Sequence, residues 1–303
     1  MLRTLYPDSD QGPYQCILDD APVALEPADV SDPVAAIDEL VGAGFDVTTE
    51  VPVRASLLRT SGREHILVLV VHHISGDGWS MQPLAADVMT AYASRLAGTA
   101  PQWSPLSVHY ADYTLWKIDS LGNEDDPESE ASRQIEYWRA ALAHVPTRLD
   151  FPTDRPHPTV ASYRGATVSS TLSAQTHRAV ESLARSTRST PFMVLHTALS
   201  VLLSRMAGES DIAIGTPVSG RGNQALDNLV GMFVGTVVLR TQVDPKASFR
   251  GLLESTRNAD LSAFAHSDIP FERLVEVVDP PRSTAHHPSS RWYSRPAIFR
   301  PHP

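Results

Sequence analysis

The passage from Ile66 to Gly78 restricts the fold of this 303-residue chain more than any other. Ile66 to Val71 is an unbroken aliphatic run in which four residues are β-branched, a composition that predicts a strand covered on both faces. The run then changes abruptly to His72-His73-Ile74-Ser75-Gly76-Asp77-Gly78. A buried strand that ends in His, Ser, Gly and Asp delivers polar side chains to its edge, where a substrate can meet them.

The surrounding pattern supplies a frame. Val53 to Thr60 and Glu64 to His72, joined by Ser61-Gly62-Arg63, read as a hairpin leading into the histidine loop. After it, Ser80 is positioned to cap a helix with Pro83 in its first turn and Leu84, Val88, Tyr92 and Leu96 along one stripe. Residues 123 to 133 are acidic and predict a surface loop, followed by a helix carrying Ile135, Trp138 and Leu142. Three prolines within residues 151–158 disfavour helix and sheet interiors and predict a connector between two lobes.

Beyond that connector, Thr190-Pro191 has the chemistry of a helix start, and Phe192, Leu195, Leu199, Leu202 and Met206 predict a long buried helix that stops at Gly208. Strands are expected over 211–218 and 233–241, and an amphipathic helix over 248–264. Helices alternate with strands in both halves, so the fold class is α/β or α+β.

Composition removes several functions. A formal charge of −10 without a basic block leaves no surface for tracking phosphates, so nucleic acid is excluded as a partner. The chain has neither a bilayer-length apolar stretch nor the layout of a signal peptide, which predicts a cytoplasmic protein without a membrane partner. The single Cys16 rules out an internal disulfide, a redox pair and a multi-cysteine zinc site, and no cationic cluster near it would activate the thiol.

A pair of adjacent histidines is often no more than solvated or internally bonded imidazole. Metal binding is disfavoured here, because successive strand side chains point to opposite faces and His72 and His73 would converge poorly on one ion. Asp77 and Gly78, placed just behind the strand, point to a different chemistry. One imidazole faces a channel, a carboxylate holds the loop, and a glycine lets backbone approach the reacting group.

In this form, His72 to Ser80 resembles the HHxxxDG signature of the condensation domains of non-ribosomal peptide synthetases. Five other segments resemble the same family in order and spacing: Leu2-Arg3-Thr4-Leu5, Tyr110 to Trp116, Ile214 to Arg221, Leu229 to Thr236, and His266 to Leu274. The resemblance covers residues 1–288. It implies two chloramphenicol-acetyltransferase-like lobes in a V-shaped pseudo-dimer, with an N-terminal lobe over 1–150, a connector over 151–158, a C-terminal lobe over 159–288 and an atypical tail over 289–303. Gly235 stands where the family usually has Asn in a stretch lining the inter-lobe tunnel. Compared with the family pattern, both ends and hence both lobes read as truncated, so the activity of the chain as it stands is an open expectation.

The resemblance also implies a mechanism for secondary-metabolite and antibiotic biosynthesis. Upstream and downstream peptidyl carrier proteins deliver thioesters on phosphopantetheine arms, so no directly bound cofactor and no metal is needed, and neighbouring synthetase domains are the other partners. His73 serves the attacking amine, and Gly78 offers a backbone N–H to the developing oxyanion. His72, Asp77 and Arg3 support the site, with Arg3 as the ionic partner of Asp77. Heterocyclising relatives replace the histidine pair with aspartates, and epimerising relatives add a glutamate motif that is not found here. Two alternatives remain: a catalytically silent scaffold that docks partner proteins, and a CoA-dependent acyltransferase of the same fold. The amino acids joined are not legible, and an L-configured donor is the expectation.

Overall fold

The hairpin expected ahead of the histidine loop is present, and its register fixes where the loop begins. In a computed structural model that describes residues 1–146, 149–156, 160 and 166–278, the chain divides into two compact units. One comprises Met1–Lys117 and Ser219–Val234, and the other Ile118–Val218 with the chain from Gly235 onward. The described part of the expected connector, 151–156, falls inside the second unit; residues 157 and 158 and the tail over 289–303 lie outside the described residues.

In the first unit, β1 (Thr4–Leu5) pairs antiparallel with β2 (Cys16–Ile17). β3 (Pro27–Asp29) leads into α1 (Pro33–Gly42), whose Asp32 carboxylate accepts from the Val34 and Ala35 N–H groups while Pro33 takes the first helical turn. β4 (Val53–Arg59) and β5 (His65–Val71) then form the hairpin, with Val53 opposite Val71 and Arg59 opposite His65. The sheet order is β3-β4-β5.

Only one face of β5 is packed. Leu58 and Val68 are buried, while Leu67 and Leu69 on the opposite face are 41% and 37% exposed, which corrects the expectation of a strand covered on both faces. The continuous aliphatic run hid an alternation in burial that apolar composition alone does not report.

α2 (Met81–Leu96) begins where expected, but Ser80 makes no side-chain cap to it. Leu84 and Val88 are half-buried, whereas Tyr92 and Leu96 are exposed. Each four-residue step overshoots a helical turn by about 40°, so the packed face continues through Ala91 and Ser94 instead. α3 (Tyr110–Leu121) starts in this unit, and its Tyr110 and Tyr113 pack against Leu226, Leu229 and Phe233 of the returning segment.

The second unit holds α4 (Glu130–Ala141), α5 (Ala174–Ser186), α6 (Pro191–Ala207), the antiparallel pair β6 (Asp211–Val218) and β7 (Gly235–Gln242), α7 (Phe249–Ala265) and α8 (Phe271–Val278). Ile135, Trp138 and Leu142 are buried with Val237, Val238, Leu239, Phe271 and Leu274 in its main core. Thr190 accepts from Met193 N–H and Gly208 closes α6 at φ 72°, as the sequence predicts.

The buried face of α6 differs from the expected aliphatic stripe. It consists of Met193, Val194, His196, Thr197 and Ser200, while Leu202 and Met206 are exposed. Phe192 lies beside Phe264, and His196 Nδ1 lies 3.1 Å from the Asp260 carboxylate. These two contacts advance four residues on α6 while retreating four on α7, so the helices run antiparallel; Ser200 on α6 and Thr256 on α7 are also buried. Among the described residues no helix is long and apolar enough to cross a membrane.

Candidate active site

The histidine loop consists of two consecutive tight turns. His72 N–H bonds Pro52 O, closing the hairpin; Ser75 N–H then bonds His72 O, and Ser80 N–H bonds Asp77 O. The residues that close these turns, Ser75, Asp77 and Ser80, are buried, as is Gly76 between them. His73 is exposed at the tip of the first turn, and Gly78 and Trp79 at the tip of the second.

The two histidines are therefore separated by environment as well as by strand alternation. His72 is half-buried, its Nδ1 accepts the Ile74 N–H at 3.1 Å, and its ring meets Phe45 edge-on. The Arg54 guanidinium lies 4.0 Å over that same Phe45 ring. His72 is thus engaged within its own loop, whereas His73 is exposed. A Cβ at Gly78 would meet nothing within 4 Å, so a reacting group has open space to approach its backbone.

Asp77 anchors the underside of the loop. It is 3% exposed; its Oδ1 accepts from Ser80 N–H at 2.9 Å and from Arg221 at 3.2 Å, and its Oδ2 accepts from Phe233 N–H at 3.0 Å. Ser80 Oγ lies 2.8 Å from both Asp77 Oδ1 and Gly231 O, one hydroxyl proton facing two acceptors, and it accepts from Gly231 N–H and Arg221. Burial works to raise the Asp77 pKa, but the hydrogen bonds from Ser80 and Phe233 and the charge of Arg221 outweigh it and hold the carboxyl below its usual value.

Arg221 replaces Arg3 as the ionic partner of Asp77. Arg3 instead donates to Asp19 O at 2.6 Å on the surface, so the expected Arg3–Asp77 pairing is overturned. The Arg221 side chain is 4% exposed, also donates to Leu226 O and Leu229 O, and stacks 4.1 Å over the Phe233 ring. The interaction spans 144 positions, which no local spacing reveals. The available signal was chemical: a carboxylate directly behind a strand calls for a cation, and Arg221 closes one of the other segments that carry the resemblance.

Two glycines permit this fit. Gly220 sits at φ 63°, and a Cβ there would collide with Phe233 O. A Cβ at Gly231 would strike the Tyr110 ring, whose hydroxyl donates to Met232 O at 2.5 Å. Burial, together with the charges of neighbouring groups, raises the Tyr110 pKa and keeps it a neutral donor.

A cavity of 1170 Å³ in the first unit lies elsewhere, lined by Arg3, Ile17, Trp103, His109 and Asn228 but not by His73. Among the described residues no three His, Cys, Asp or Glu side chains gather as a metal site.

Comparison with known proteins places this geometry. A family model described as "Condensation domain" matches residues 1–290. The chain is 45% identical over 295 residues to an isonitrile lipopeptide synthase of Mycobacterium tuberculosis (strain ATCC 25618 / H37Rv). It is 44% identical over 294 residues to a dimodular nonribosomal peptide synthase of Bacillus subtilis (strain 168). Each match covers 95% of this chain and 12% of the relative, so the chain spans about an eighth of those proteins.

Among solved structures, the X-domain from teicoplanin biosynthesis in complex with OxyB is similar at 33% identity with a TM-score of 0.88, covering 95% of this chain and 64% of that one. A four-domain nonribosomal peptide synthetase bound to AMP and glycine shares the fold at a TM-score of 0.79 and 24% identity, covering 95% of this chain and 22% of that one.

Proposed function

Because this chain belongs to the condensation-domain family, we propose that it joins two carrier-protein-bound thioesters through a peptide bond, with His73 serving the attacking amine. The observation that carries this reading is the loop itself. The buried side chains of Asp77, Ser80 and Arg221 hold its underside, and its two tips present an imidazole and a glycine N–H.

The amine nitrogen attacks the thioester carbonyl carbon, forming the C–N bond. The Gly78 N–H faces the carbonyl oxygen as negative charge gathers on it. His73 takes a proton from the nitrogen and returns it to the sulfur as the C–S bond breaks, so the products are an amide and a free thiol. Removing a positioned general base costs about 10²–10⁴ in rate, and holding both thioesters in reach contributes a comparable factor. Asp77, Ser80, Arg221 and His72 act through the loop, as positioning residues. The phosphopantetheine arms belong to the carrier proteins and enter as part of the substrates.

The test is to load donor and acceptor carrier proteins, add the 303-residue chain and detect condensed product by mass spectrometry, with free acyl-CoA as a control for a diffusible donor. Product that disappears with His73→Ala supports the reading; product from acyl-CoA alone moves it to a CoA-dependent acyltransferase.

A second reading, a docking scaffold, is favoured by one observation: the similar X-domain structure is of a complex with another protein, OxyB. The intact His72-His73 and Asp77-Gly78 pairs in this chain favour catalysis over it. A chain that yields no product yet binds a partner protein through this unit would reverse that preference.

A further inference from the structure

The same loop that presents His73 also presents an indole, and the proposed reaction has not used it. Trp79 is 52% exposed and occupies the tip of the second turn beside Gly78. It makes no ring contact among the described residues, unlike Trp116, which lies 6.1 Å from Tyr113. Its neighbour Ser80 is fully buried and bound on several sides, so the backbone under the indole is fixed. Met81, two residues on, is also exposed, and a Cβ at Gly76, between the two turns, would meet its methyl group at 3.7 Å. Ile74, next to His73, is half-buried. The exposed part of the loop thus carries two apolar side chains, Trp79 and Met81, on a frame that is polar and tightly bonded underneath.

We propose that Trp79 is a substrate-contacting residue that holds the acyl chain of an aminoacyl thioester beside His73. This rests on the reading of His73 given above, and it adds the ligand class and the residue that receives it. An indole on a fixed backbone has two side-chain torsions to immobilise, so it binds at low entropic cost. Its face takes the apolar side chain of an aminoacyl group, and its N–H can donate to an amide or thioester carbonyl. An aminoacyl thioester offers both within a few bonds of the carbon that is attacked. Met81 and Ile74 extend the apolar surface on which that side chain rests.

The probe is the N-acetylcysteamine thioester of N-acetyl-leucine, titrated by calorimetry into the wild-type chain and its variants. Trp79→Ala is expected to weaken binding about tenfold, and Trp79→Phe, which keeps a ring, about threefold or less. Far-ultraviolet circular dichroism that matches wild type keeps each comparison valid, as expected for an exposed side chain. Equal binding by Trp79→Ala and wild type, or no saturable binding by wild type, overturns the assignment. The reading of His73 stands or falls separately on product formation with loaded carrier proteins, where Trp79→Ala raises KM more than it lowers kcat if both ideas hold.

Discussion

Replacing Asp77 with alanine removes the acceptor on which the histidine loop is built. The carboxylate receives Ser80 N–H, Phe233 N–H and the Arg221 guanidinium, all in surroundings almost closed to water. Truncation strands the buried Phe233 N–H, costing about 1–3 kcal/mol, and a buried cation whose lost partner costs about 3–5 kcal/mol, while the Ser80 N–H keeps the Asp77 backbone O. These losses overlap, because Ser80 and Arg221 can rebond to each other and to Gly231. A net loss of about 3–5 kcal/mol is therefore expected, which lowers Tm by roughly 10–20 °C for a unit of this size. The assay is thermal melting, with amide exchange of peptides over residues 72–80 and 219–234 to localise the effect. Asp77→Ala combined with Arg221→Met is expected to cost less than the two single changes added together by about 1 kcal/mol or more. A single-variant loss below about 1 kcal/mol, or strict additivity in the double variant, would refute the account of the loop's underside. The pH dependence has a definite sign. Since the folded carboxyl titrates below its unfolded value, its contribution is fully present above about pH 4 and is lost as pH falls through the lower folded value. Asp77→Asn should remove that acid-sensitive part of the stability.

Arg3→Ala should change stability by no more than about 0.5 kcal/mol and leave exchange at residues 72–80 untouched, since its guanidinium bonds an exposed carbonyl; a loss matching that of Asp77→Ala would restore Arg3 as the partner. Gly231→Ala should destabilise by about 1–3 kcal/mol or more, because the new methyl group meets the Tyr110 ring, and an unchanged urea midpoint would contradict that close approach. In the second unit, His196→Leu and Asp260→Leu should each cost about 3–5 kcal/mol, whereas the double variant should recover most of the loss, since no buried ionisable group is then left without its partner. Denaturation midpoints of the three proteins decide it, and a double variant as unstable as the sum of the singles would show that the pair does not act as a unit.

The elements around the site were legible because they rest on local chemistry. The β4–β5 hairpin came from two β-rich runs around Ser61-Gly62-Arg63, and the start and stop of α6 from Thr190-Pro191 and Gly208. The exposed His73 and Gly78 followed from polar residues placed behind a strand. What the residues did not reveal depends on which face meets a neighbour. Leu67 and Leu69 are as apolar as Val68 but point away from the packed side. On α6, His196 displaced the expected aliphatic stripe because Asp260 stands opposite it on α7. The Asp77–Arg221 pair was hidden for the same reason: a contact between distant segments leaves no periodicity to read. Ser80 looked like a helix cap, and its hydroxyl is instead committed to Asp77 and Gly231.

The central claim is that the loop exists to present His73 to an amine. It is tested most directly by single-turnover condensation between loaded donor and acceptor carrier proteins, comparing wild type with His73→Ala while melting temperature is followed in parallel. A rate reduced by about 10²–10⁴ with an unchanged Tm is expected, because His73 is exposed and bears none of the loop's buried bonds. Product formed at the wild-type rate by His73→Ala would contradict the account.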